Sequence, residues 1–110
     1  DTGGGTSHSM LQTLADAYKI QQLRGYSINP LGSFYWGTLG NALSLGLGGE
    51  IGNLCPGSFA DFIVLNSCAT QMSKIRMNTC DSLVEELFIL QTLGDDRFVD
   101  SVYIAGIKQK

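Results

Sequence analysis

Charge, proline and histidine are all scarce in this chain. Of its 110 residues only 15% are Asp, Glu, Lys or Arg, two are proline, and His8 is the one histidine. Ten acidic side chains against seven basic ones leave a net charge of −3. The basic residues are scattered, apart from Lys108 and Lys110 near the end. A nucleic-acid partner requires a clustered basic face to meet phosphate, so none is expected. A small uncharged substrate suits this balance better. No apolar run approaches the ~18 residues that a membrane-spanning helix requires, so no membrane partner is expected either. Residues 1–9 have neither the basic start nor the apolar stretch of a secretory leader. The cysteines, Cys55, Cys68 and Cys80, are odd in number and separated by 12 and then 11 residues. That spacing gives neither a disulfide framework nor a Cys-x-x-Cys metal pair. They read as reduced thiols, which points to a cytoplasmic protein.

What is present is the composition of one globular unit, with 44% apolar residues and 14 glycines. Met10, Leu11, Leu14, Ala17, Tyr18, Ile20 and Leu23 recur at three- and four-residue steps. This predicts an amphipathic helix, capped by Thr6 or Ser7 and ended by Gly25. Asn29-Pro30 announces a second helix, with Leu31, Phe34, Tyr35, Thr38, Leu39, Ala42 and Leu43 on its apolar face. Gly37 and Gly40 weaken it by about 1 kcal/mol each, and the glycine-rich stretch 46–49 stops it.

After Glu50 the character changes. Ile51, the Gly52-Asn53 turn, Leu54, Pro56-Gly57 and then residues 59–65 read as short strands joined by tight turns. Phe62-Ile63-Val64-Leu65 is a continuous apolar run, expected to be a strand covered on both faces. Residues 66–78 are polar and irregular, and read as a loop. Ser82 and Glu85 are placed as the capping box of a third helix. Its buried face would be Leu83, Val84, Leu87, Phe88, Leu90 and Leu93, with Gly94 closing it. Val102, Tyr103 and Ile104, an Ala105-Gly106 turn and Ile107-Lys108-Gln109 predict a terminal hairpin. The pattern is a mixed α/β chain, and periodicity alone assigns it no function.

The residue types say more. Asp1-Thr2-Gly3-Gly4-Gly5-Thr6-Ser7-His8-Ser9-Met10-Leu11 resembles the segment that follows the last barrel strand in guanine deaminases, a branch of the amidohydrolase superfamily. Residues 42–65 include Leu45-Gly46-Leu47, Glu50-Ile51-Gly52-Asn53, Pro56-Gly57 and Ala60-Asp61-Phe62. They are similar to the return of amidohydrolases from their barrel to a small β-sandwich. Leu93-Gly94-Asp95-Asp96-Arg97, followed by Val102-Tyr103-Ile104-Ala105-Gly106, resembles the guanine deaminase C-terminus. The middle block points to the superfamily, and the outer two favour guanine as substrate.

The resemblance implies an α/β fold class: the C-terminal piece of a metal-dependent (β/α)₈ barrel hydrolase plus part of its β-sandwich domain. Residues 1–48 would close the barrel, with the turn after strand eight and the last helices. Residues 49–110 would belong to the sandwich, with a helix inserted at about 82–93. Asp1 would be both the catalytic aspartate and a ligand of a single zinc. Zinc lowers the pKa of bound water toward ~7, which makes hydroxide available near neutrality. Asp1 would hydrogen-bond that hydroxide and pass its proton to the leaving amine as guanine becomes xanthine and ammonia. The family's His-x-His pair, two further histidines and acid/base glutamate are not in this sequence, nor is any substrate-binding residue assigned. The resemblance therefore implies a C-terminal fragment, inactive and unable to hold zinc by itself. It would form a homodimer or associate with the missing N-terminal part.

Plainer readings stand beside these. Without the resemblance, Asp1 is an exposed terminal acid, and His8 packs or hydrogen-bonds at a helix start. Gly3-Gly4-Gly5 is a turn, since no Lys-Ser/Thr follows as in a phosphate cradle. Asp95-Asp96-Arg97 is a local turn with an ion pair joining the last helix to the hairpin. The rival functions are another amidohydrolase, deaminating or dechlorinating a purine, pyrimidine or triazine ring, and a non-catalytic association domain. Cytidine-type zinc deaminases are disfavoured by the missing Cys-x-x-Cys pair.

Overall fold

The chain was analysed as a computed structural model that describes residues 4, 5 and 7–109. Helix α1 (Met10–Leu23) follows the predicted periodicity, but Ser9 is its cap, accepting from the Gln12 N–H. Ser7 instead accepts from the Ser9 N–H at 2.9 Å, and Thr6 lies outside the described residues. Gly25, with φ 77°, supplies the left-handed residue that ends the helix. Leu11, Leu14 and Ala15 are buried, whereas Ile20 and Leu23 of the expected face are exposed because the C-terminal end of α1 runs past the core.

The single second helix is overturned. In its place stand α2 (Pro30–Tyr35), a π-helical turn (Trp36–Gly40) and α3 (Asn41–Ser44). Asn29 Oδ1 accepts from the Leu31 N–H at 2.9 Å, and Pro30 occupies the first turn, as the sequence predicts. The break is at Thr38 (φ −127°, ψ −105°). Its hydroxyl donates to the Phe34 carbonyl at 2.7 Å, competing with the helical ladder. Gly37 and Gly40 on either side resist that distortion least.

Sheet structure is sparser than expected. Residues 49–61 form turns rather than short strands, tied by bonds such as Phe59 N–H to the Glu50 carbonyl at 2.7 Å. Strand β1 (Phe62–Leu65) pairs antiparallel with β2 (Val99–Ile104), which pairs with β3 (Ile107–Lys108). Phe62 faces Tyr103 in the ladder, and their rings stack at 4.5 Å. The register shifts between Val64 and Leu65. Double coverage of the apolar run does not hold: Ile63 is 51% and Val64 42% exposed. Among the described residues β1 is an edge strand, and no second layer of sheet covers it. Extended segments without a partner strand do not settle into sheet, which accounts for the turns of residues 49–61. The terminal hairpin is as predicted, with Ala105 (φ 49°) and Gly106 (φ 75°) both left-handed in its turn.

The 66–78 loop is also corrected. It contains α4 (Gln71–Met77), started by a reciprocal cap between Thr70 and Ser73. Thr70 Oγ1 accepts from the Ser73 N–H at 3.2 Å, and Ser73 Oγ accepts from the Thr70 N–H at 3.1 Å. A seven-residue helix is too short for periodicity to register, and serine replaces the Glu or Gln that the capping pattern seeks. Helix α5 (Leu83–Leu93) keeps half of its predicted box. Ser82 Oγ accepts from Glu85 N–H, but the Glu85 carboxylate reaches back to Asp81 N–H at 2.7 Å. Its buried residues are Ile89, Leu90 and Gln91, while Leu83 and Val84 of the expected face are exposed.

The core sits where α5 crosses α1 and α2. Leu11, Leu90 and Phe98 are buried together, with Phe34, Leu65, Ala69 and Leu87 packed around them. Tyr18 and Phe88 meet edge-on at 5.4 Å across α1 and α5. Phe98 arrives on a 3₁₀ turn (Asp96–Phe98) that links α5 to β2. Exposed large apolar residues include Met10, Leu31, Tyr35, Trp36 and Ile63, whereas Leu14 is buried. Among the described residues no helix is long and apolar enough to cross a membrane.

Candidate functional site

Asp1, the one catalytic and metal-binding candidate in the sequence, lies outside the described residues. What the structure does define is the ground on which its segment stands. Gly4 and Gly5 form an exposed turn, followed by exposed His8 and the Ser9 cap. Ser7 Oγ contacts Gln12 Oε1, so the segment closes onto the first turn of α1. A groove of about 340 Å³ opens there. Its walls are Ser7, Gln12, Asp16 and Lys19 from the α1 side, and Thr92, Gly94 and Asp95 from the end of α5.

The first and last blocks of the sequence therefore meet in space. Gly94 joins them: a Cβ there would lie 2.1 Å from the Leu90 carbonyl oxygen and 2.9 Å from Leu11 Cδ1. Only a glycine permits this approach. The middle block meets the last one as well. Asp61 Oδ1 accepts from the Ala105 N–H at 2.7 Å, and the Gly106 N–H donates to the Ala60 carbonyl at 2.9 Å. Sequence reasoning had Gly94 closing the last helix and Asp61 in the middle block, but it foresaw neither of these contacts, because close approach leaves no periodic signal.

The charges in the groove are paired. Lys19 Nζ is 3.1 Å from Asp16 Oδ1. Asp95 accepts from Arg97 Nε at 3.0 Å and from Arg97 N–H at 2.9 Å. Its side-chain hydrogen bond with Arg97 holds the Asp95 carboxyl below the usual range, against a smaller upward push from burial. The pair is local, as expected, and caps the 3₁₀ turn. Among the described residues no three His, Cys, Asp or Glu side chains come together to hold a metal. The cysteines are free.

A second hollow, about 550 Å³ and mainly apolar, lies between α1, the π-helical turn and the sheet. Met10, Leu14, Phe34, Ile63, Val102 and Tyr103 are among its lining. It is open, which fits a surface that a further layer of protein covers.

Helices packed on a small three-stranded antiparallel sheet give a mixed α/β arrangement. The sequence profile of the amidohydrolase family matches residues 1–108, and the chain belongs to that family. Guanine deaminase of Escherichia coli K12 is 48% identical over 106 residues, covering 96% of this chain and 24% of the relative. Human guanine deaminase is 34% identical over 116 residues, covering 96% of this chain and 25% of the relative. The solved E. coli guanine deaminase superposes with a TM-score of 0.97 at 46% identity, over 100% of this chain and 26% of that one. Guanine deaminase from Bradyrhizobium japonicum gives 0.84 at 28% identity, over 100% of this chain and 30% of that one. The chain thus spans about a quarter of the length of the relatives it matches.

Proposed function

We propose that this chain is the C-terminal part of a cytoplasmic guanine deaminase, and that the complete protein converts guanine and water to xanthine and ammonia. The observation that carries the proposal is the spatial meeting of the two guanine-deaminase-like blocks at Gly94, supported by identity to relatives of that name. Residues 1–48 would finish the barrel and residues 49–110 would contribute to the sandwich. Helix α5 packs on both α1 and α2, so the two parts share one core.

Asp1 is the residue proposed to act. A carboxylate accepts with spare lone pairs when ionised, so it can take the proton of an attacking water and return it to the departing amine. Zinc is proposed as the metal of the complete protein. Among the described residues no group of three His, Cys, Asp or Glu side chains stands ready to hold it. Alone, the chain would be inactive. Its uncovered apolar residues, such as Tyr35, Trp36 and Ile63, favour association with the N-terminal part or with a second copy.

The test is ammonia release by the full-length polypeptide from guanine, compared with adenine, cytosine and triazines. Guanine should be strongly preferred, and Asp1→Ala should abolish turnover while leaving the fold intact. Equal or better turnover of a triazine would replace this reading with the rival one.

A further inference from the structure

We draw no further inference here: the strongest candidate, the open apolar hollow between α1, the π-helical turn and the sheet, carries none because nothing in the structure shows what covers it.

Discussion

Gln91 offers a direct test of the core. It is fully buried on α5 beside Ile89 and Leu90, and among the described residues neither its Oε1 nor its Nε2 has a hydrogen-bond partner. A buried amide without compensation costs about 1–3 kcal/mol on protein mutational scales. Methionine has nearly the same volume and length, and such swaps cost under about 1.5 kcal/mol in repacking. Gln91→Met should therefore stabilise the region by about 1 kcal/mol in net terms. In the full-length protein this would appear as slower amide exchange of residues 86–93, roughly five- to tenfold in protection, since 1.4 kcal/mol corresponds to about a factor of ten. Chemical unfolding should shift to higher denaturant in step. Loss of protection by more than about threefold would show that the amide is paired, and the argument from desolvation would fall.

Other outcomes follow from local geometry. Ala105 holds φ 49° in the hairpin turn; Ala105→Gly should relieve about 1 kcal/mol of left-handed strain, read as a higher melting temperature. Asp61→Ala removes the 2.7 Å acceptor of Ala105 N–H and should cost about 1 kcal/mol, with faster exchange at residue 105. Arg97 lowers the Asp95 carboxyl, so the stabilisation from this pair is complete above the ordinary aspartate pKa of about 3.9 and disappears as pH falls through the lower folded value. The melting-temperature gap between the parent protein and Asp95→Asn should hold from neutrality to about pH 4 and narrow below it, whereas a gap that widens in acid would contradict the sign.

The open apolar hollow and the exposed edge of β1 have a common reading. Ile63, Val64 and Val102 are the residues of a sheet that expects a neighbour. In relatives four times as long, three quarters of the polypeptide is available to supply it.

The sequence by itself determined the elements whose signals are local. The α1 stripe, Asn29-Pro30 at the start of α2, Ser82 at the start of α5 and the Ala105-Gly106 turn all depend on residues within one or two turns of each other. The family, too, was legible from blocks of residue types. Only the tertiary structure decided what depends on distant neighbours. Whether residues 49–61 pair as strands depends on partners that no local pattern specifies. The kink at Thr38 arises where helix geometry competes with a side-chain hydrogen bond between two glycines. The pairing of Gly94 with Leu11 joins residues far apart in the chain through the lack of an atom. A missing methyl group has no hydropathy and no period, so its consequence emerges only when the two helices are packed.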